Sequence, residues 1–463
     1  MASEGAGNAD GRARPELEAR VAALMPELEE ELMRLAAIPS ISAPCFPREP
    51  LQEAHDAVAA AFRGAGMRVE TLSLPGAAPI VTGEIPAPEG APTVLLYAHY
   101  DVQPPGDEAA WTTPPFEPKR LGGAIHARGA ADDKANVIVH LGALRAYGGK
   151  PPVGIKLVVE GQEEVGSPLD DLPLREPERF RADAIVIGDA GNAHPGLPTL
   201  TVATRGVADV IVEARTLEGP VHAGEYGGAA PDALLALLRA LASLHDERGN
   251  VAVAGLRREP WQGEEPAEDE LRELAGVRPG VPLLGSGTLG ERLWTGPAIT
   301  VTGIDAPAAD GPSAVVPHAR ARLNLRVHPG EDAEEACAAL VQHLRAQRPY
   351  GVELEVREEG AAGNGFVADT SGPAYEAARA ALRAAWGREP IERAVGGAIP
   401  FVSALHRGLP ASEILLFGAQ DGRCNMHAPN ERVLLEELER AIVAEAEFFA
   451  RYAAARKETD PDG

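Results

Sequence analysis

Short apolar runs that stop at an ionisable side chain set the pattern of this chain. Val94, Leu95, Leu96 and Tyr97 run into His99-Tyr100-Asp101, and Ile155, Leu157, Val158 and Val159 run into Glu160-Gly161-Gln162-Glu163-Glu164. Ala184, Ile185, Val186 and Ile187 run into Gly188-Asp189, and residues 414–417 lead toward Cys424-Asn425-Met426-His427. Runs this short, β-rich and uninterrupted have the composition of parallel strands buried on both faces. Side chains at or just beyond their carboxyl ends lie where an open α/β sheet binds ligands.

Between these runs the period changes. Residues 17–35 and 51–62 place Leu, Val, Met and Phe at helical spacing, and residues 135–147 read as a helix closed by Gly148-Gly149. Strands are predicted over 67–74 and 80–85, so strands and helices alternate to about Asp189. After Gly196 the texture differs: 199–212 and 319–327 alternate as strands, and 232–244 and 333–347 are amphipathic helices, a small antiparallel sheet with one helical layer. From Tyr375 the first texture returns, ending in a long helix predicted from Asn430 to about Ala455. His427 in this last part must meet the earlier ligand-type residues if they form one site, so the middle region is an insertion. The predicted fold is α/β, a mostly parallel-sheet catalytic domain in two parts, 16–198 and 369–457, interrupted by an α+β domain at 199–368. Disordered ends are expected at 1–15 and 458–463.

At 463 residues the chain exceeds the size at which single cores stop growing, which agrees with two domains. Asp and Glu number 69 against 43 Lys and Arg, a formal charge of -26, which disfavours nucleic acid and anionic membranes as partners and suits cations. No apolar stretch approaches the roughly 18 residues needed to span a bilayer, and the start has no apolar signal-peptide core. Cys45, Cys337 and Cys424 form no CxxC and no even framework, which fits free thiols in a reducing compartment. A cytoplasmic protein is expected.

Each candidate has a bland reading alone. His99 can be an ordinary polar residue at a strand end, Asp132 and Asp133 can cap the following helix, and Glu163-Glu164 can be a solvated loop. Together, His99, Asp132, Glu164, Asp189 and His427 stand at strand ends or the helix entry beside them, and they supply the imidazole and carboxylate donors that suit Zn²⁺, Mn²⁺ or Co²⁺. Adjacent carboxylates such as Glu163 and Glu164 are hard to keep ionised unless cations or a catalytic proton compensate them.

The segments Tyr97-Ala98-His99-Tyr100-Asp101-Val102, Ala127-Arg128-Gly129-Ala130-Ala131-Asp132-Asp133-Lys134, Glu160-Gly161-Gln162-Glu163-Glu164-Val165-Gly166-Ser167 and His427-Ala428-Pro429-Asn430-Glu431 resemble a known family. It is the dinuclear zinc amidohydrolases and exopeptidases of metallopeptidase clan MH, which include carnosine dipeptidase, carboxypeptidase G, aminoacylase, acetylornithine deacetylase and succinyl-diaminopimelate desuccinylase. The resemblance runs in the family's order from about Leu35 to the terminal helix. It implies two divalent ions per chain, Zn²⁺ or alternatively Mn²⁺ or Co²⁺. Asp132 would bridge them, His99 and Asp189 would complete one, and Glu164 and His427 the other. Asp101 would fix the tautomer of His99, Glu163 would be the general base, and the bond between Asp132 and Asp133 would be cis.

The segment Gly219-Pro220-Val221-His222-Ala223-Gly224-Glu225-Tyr226-Gly227-Gly228 is similar to one in the dipeptidase branch. By that resemblance the insertion is a lid and dimerisation domain, and His222 reaches across a homodimer to the substrate's carbonyl oxygen. Arg326 would clamp a terminal carboxylate, and Gly396-Gly397-Ala398 would bind the substrate backbone. Ala398 and Ala223 stand where the family has serines, which bears on specificity rather than mechanism. The expected function is a metal-dependent dipeptidase cutting a dipeptide or similar small amide with a free carboxylate. The alternatives are an N-acyl- or N-succinyl-amino-acid deacylase of the same family and, from another class, a non-catalytic binding protein; the last predicts a lost ligand, and every ligand position is intact.

Overall fold

The computed structural model describes residues 14–459 apart from residue 398, so Ala398 and nearly all of both expected disordered ends lie outside the described residues. Helices Pro15–Ala36 and Leu435–Thr459 reach slightly into the stretches expected to be disordered. The chain divides into two compact units: residues 1–202, 368–393 and 404–463 form one, and residues 203–367 and 394–403 the other. The short return of 394–403 to the second unit has no counterpart in the sequence reading, which ran the final catalytic segment unbroken from 369.

Seven strands of the large sheet are β1 (Arg68–Leu72), β2 (Ile80–Ile85), β3 (Thr93–His99), β4 (Gly154–Glu160), β5 (Ala184–Ile187), β6 (Thr199–Thr204) and β7 (Glu413–Leu416). Their order across the sheet is β1-β2-β4-β3-β5-β7-β6. The central four, β4-β3-β5-β7, are parallel, and β1, β2 and β6 flank them antiparallel. This is the mixed α/β, mostly parallel central sheet that the apolar runs predict. β3 and β5 are buried almost throughout, as strands covered on both faces must be.

Helices α1 (Pro15–Ala36), α2 (Glu49–Gly64), α3 (Lys134–Ala146), α4 (Pro373–Trp386) and α5 (Leu435–Thr459) share one hydrophobic core with the sheet. Almost every residue of α3 is buried, which leaves it little polar face. Its first residue, Lys134, is buried too, and its Nζ donates to the carbonyls of Leu35 and Ile38 at 2.8 Å each. These carbonyls lie at the end of α1, where a cation satisfies orphan acceptors.

The terminal helix starts at Leu435, not at Asn430 as predicted. Asn430 has φ +64°, outside the helical region, and Arg432–Leu434 instead forms an antiparallel ladder with Ala124–His126. The local pattern is helical through this stretch, and a tertiary pairing overrides it.

The second unit has a four-stranded antiparallel sheet in the order Ala298–Asp305, His318–Val327, Gly206–Arg215, Leu354–Gly363. Helices Ala233–Ala242 and Ala333–Ala346 bury their apolar stripes with it in a separate core. Among the described residues no helix is long and apolar enough to cross a membrane.

Candidate metal centre

His99 is the last residue of β3 and is fully buried. Its Nε2 lies 3.1 Å from Oδ1 of Asp132, and its Nδ1 lies 3.1 Å from the carbonyl oxygen of Asp101 and 3.3 Å from that residue's Oδ1. Burial alone would lower the pKa of His99, but hydrogen bonds to Asp101 and Asp132 outweigh it and raise the imidazole well above its ordinary range. Asp133, joined to Asp132 by a cis peptide bond, accepts the backbone N–H of His99 at 3.0 Å, and its other oxygen accepts from Asn136. Asp132 and Asp133 therefore face opposite duties: one presents its carboxylate to the imidazoles, the other fixes the strand that carries His99.

On the other side of Asp132, His427 Nε2 sits 2.9 Å from Oδ2 of Asp132 and 3.2 Å from Oε2 of Glu164. Those two hydrogen bonds raise the half-exposed His427 to about 10. Burial pushes Asp132 up, yet the hydrogen bonds from His427 and His99 hold its carboxyl below the usual range. His99, Asp132 and Asp189 each offer a ligand atom within 4.8 Å of the others, and so do Asp132, Glu164 and His427. Asp132 is common to both groups.

Two amides aim the remaining carboxylates. Gln103 donates to Glu164 Oε2 at 2.9 Å, and Gln420 donates to Asp189 Oδ1 at 3.1 Å. Asp101 does more than face His99. Its two carboxylate oxygens accept the backbone N–H groups of Glu163 and Glu164, each at 3.1 Å, which pins the turn Glu163–Val165 to the end of β3. Gly161 makes room for that turn, because a Cβ there would meet the Tyr100 ring at 2.2 Å. Glu163 belongs to neither ligand group.

The donor set fits divalent cations. Burial, then the charge of Asp132, raises Asp189 to about 6. Burial also raises Glu163 well above the carboxylate range, with His99 opposing and Asp189 and Glu164 adding to it. Carboxylates this costly to ionise together are what a pair of cations compensates, and mixed imidazole and carboxylate ligation suits zinc-like ions.

The sequence pattern of peptidase family M20/M25/M40 matches residues 95–452, a span that holds every one of these side chains. The chain belongs to that family. As a member of it the protein is an enzyme that hydrolyses amide bonds. A cysteinylglycine-S-conjugate dipeptidase of Corynebacterium striatum is 41% identical over 371 residues, 78% of this chain and 81% of that protein. A human Beta-Ala-His dipeptidase is 26% identical over 433 residues, 88% of this chain and 82% of the other. The solved structure of the dipeptidase Dug1p from Saccharomyces cerevisiae shares the fold, with TM-score 0.82 at 22% identity over 95% of this chain and 98% of that one.

The remaining described site residues of this M20 chain, His222, Arg326 and Gly397, lie in the second unit. His222 is exposed on the short strand Val221–His222, paired with Ala314. Arg326 sits in the central strand His318–Val327 between Val207 and Ala298, and burial lowers its pKa against the opposing pull of Asp209. The carbonyl of Gly397 accepts the backbone N–H of Arg205 at 3.2 Å. Arg205 is itself buried, and its guanidinium donates to the carbonyls of Leu293 and Gly296 at 2.8 and 2.6 Å. The sequence assigns no orienting role to Gln103, Gln420 or Glu431 and gives Asp133 only a helix cap and a cis bond, yet these four hold the ligand-type residues here. Gln103 and Gln420 lie a few residues past an apolar run, whereas Asp133 and Glu431 follow none.

Proposed function

We propose that this chain is a metal-dependent dipeptidase that cuts a dipeptide or a similar small amide with a free carboxylate. The observation that carries this reading is the 41% identity to a cysteinylglycine-S-conjugate dipeptidase over most of both chains. His99, Asp132 and Asp189 would hold one divalent ion and Asp132, Glu164 and His427 the other, with Zn²⁺ the first choice and Mn²⁺ or Co²⁺ the alternatives. When bound, such ions lower the pKa of a shared water and polarise an amide carbonyl.

The chain's own residues supply the rest. Glu163, held by its N–H to Asp101 and free of both ligand groups, takes the water's proton and returns it to the departing amine. No serine, cysteine or lysine nucleophile is needed. Arg326 binds the substrate's free carboxylate and Gly397 its backbone; what supports a ligand at Arg326 is a partly buried guanidinium that feels the charge of Asp209, a carboxylate already bonded to Arg322 and Asn324. Ala398 belongs to the same proposed loop.

A homodimer formed through the second unit accompanies this reading, with His222 of each protomer stabilising the oxyanion in its partner's site. In its support, the strand Ala298–Asp305 is a sheet edge bearing exposed Val301 and Ile304, and the helix Ala233–Ala242 exposes Leu235 and Leu238. A cytoplasmic location is proposed on the three free cysteines, two of them buried. The test is a screen of dipeptides and N-acyl amino acids against the metal-reconstituted protein. Cleavage of dipeptides is expected, whereas turnover confined to N-acyl or N-succinyl amino acids would make the chain a deacylase.

A further inference from the structure

Glu431 stands 299 residues from Asp132 in sequence and is fully buried beside it. Its Oε1 accepts the backbone N–H groups of Ala131 at 2.9 Å and Asp132 at 3.0 Å. Its Oε2 accepts the N–H of Gly129 at 3.0 Å and Nη1 of Arg128 at 2.6 Å. A carboxylate offers about four acceptor positions, and here four donors from one loop occupy them. The backbone of Glu431 joins in, its carbonyl accepting the N–H of Ala127 at 3.1 Å.

The same segment carries His427. Asn425, His427 and Asn430 have φ of +56°, +58° and +64°, so the turn follows a left-handed path that asparagine and histidine adopt more readily than most side chains. Asn430 ties the turn to a third segment, accepting the N–H of Thr112 at 2.6 Å and donating to the carbonyl of Ala110 at 3.1 Å. Glu431 therefore lies at the junction of two pieces of chain, each bringing one ligand-type residue: Asp132 from the loop it clamps and His427 from its own turn. Gly129 is needed for that junction, since it has φ +78° and a Cβ would strike Val102 at 2.4 Å.

We propose that Glu431 is a positioning residue that sets Asp132 and His427 at the spacing one metal ion requires, and that the group Asp132–Glu164–His427 keeps its affinity only while this carboxylate spans the two segments. The inference rests on the ligand assignment proposed above. A glutamine of the same shape accepts at one oxygen and turns an NH₂ toward donors, so the loop and the turn lose their common anchor. The ion held by His99, Asp132 and Asp189 loses the placement of one ligand; the ion held with His427 loses the placement of two.

The experiment compares wild type, Glu431→Gln and the double variant Arg128→Met/Glu431→Gln, which removes the buried guanidinium that Glu431→Gln alone would leave unpaired. Metal-free protein is titrated with Mn²⁺ alone, and free Mn²⁺ is read by its electron paramagnetic resonance signal, with thermal unfolding followed alongside. Wild type should bind two ions. In both variants one of the two ions, assigned to Asp132–Glu164–His427, should bind about 10- to 100-fold more weakly, the usual effect of removing a residue that orients a ligand, and the other ion should change less. Two ions at wild-type affinities in a folded double variant, with or without a lower melting temperature, overturn the proposal and leave the ligand assignment standing. Fewer than two ions in wild type defeat the assignment itself, and this inference with it. Should neither variant fold, hydrogen exchange in metal-free wild type decides: the amides of Gly129, Ala131 and Asp132 must be protected like those inside α3, and rapid exchange there refutes the clamp.

Discussion

Replacing Glu163 by glutamine separates the proton-transfer role from metal binding. The side chain keeps its shape, the backbone N–H of residue 163 keeps its acceptor on Asp101, and neither ligand group loses a member. What disappears is the group proposed to accept the water's proton. Loss of a general base costs about 10² to 10⁴ in turnover, which at about 1.36 kcal/mol per decade raises the barrier by roughly 3 to 5 kcal/mol. The stability of the metal-free chain should move the other way. Burial raises the folded-state pKa of Glu163 above its unfolded value, so its ionised form is disfavoured by folding at neutral pH, and a neutral glutamine removes that penalty. Glu163→Gln should therefore fall by two to four decades in kcat, retain two metals by elemental analysis, and melt no lower than wild type once both are stripped of metal. Turnover within about tenfold of wild type, with both metals bound, would show that another group takes the proton.

Asp132→Ala should lower bound metal at both positions, because Asp132 is the residue the two groups share; elemental analysis finding two ions retained would contradict a bridging role. Chelation should lower the melting temperature and added metal restore it, since an ion held at about 100 times its Kd stabilises the folded chain by roughly 2.7 kcal/mol; calorimetry with and without chelator reads this directly. If the proposed dimer forms, Glu163→Gln and His222→Ala, each nearly inactive alone, should recover activity when unfolded and refolded together, because a mixed dimer would have one site with an intact Glu163 and a borrowed His222. Activity no higher than the sum of the separate variants, with mixed dimers confirmed by mass, excludes a shared site. Phe448→Ala, in a ring cluster with Phe417, Phe449 and Tyr452 at centroid distances of 6.4, 6.2 and 5.5 Å, should cost about 3 to 5 kcal/mol in denaturant unfolding while leaving metal content unchanged.

How far the sequence reaches depends on contrast along the chain. His99, the Glu163-Glu164 pair and Asp189 lie within a few residues of the end of an apolar run, where a parallel strand stops. A polar side chain there stands out because its neighbours are uniformly apolar, so the parallel core and most of the ligand-type residues are legible together. The flanking strands β1 and β2 are legible as strands but not in direction, since their exposed and half-buried residues carry no mark of a parallel or an antiparallel partner. The start of the terminal helix is misread because the helical period in that stretch is local, whereas the pairing of Arg432–Leu434 with Ala124–His126 is not.

Glu431 marks the limit most clearly. It sits among Asn430, Arg432 and other polar residues, where one more acid is no exception to anything nearby, and all four donors to its carboxylate come from about 300 residues away. Asp101 is a milder case, since its proximity to His99 suggests a role toward the imidazole but gives no hint that its oxygens hold the amides of Glu163 and Glu164. Local pattern thus finds the side chains that would touch a metal ion, which must break the apolar texture at a strand end, and misses the side chains that aim them, which need only be polar and brought near by the topology. Substitutions at Glu431 and Asp101 are for that reason the sharper test of whether the geometry described for this site is the one the protein uses.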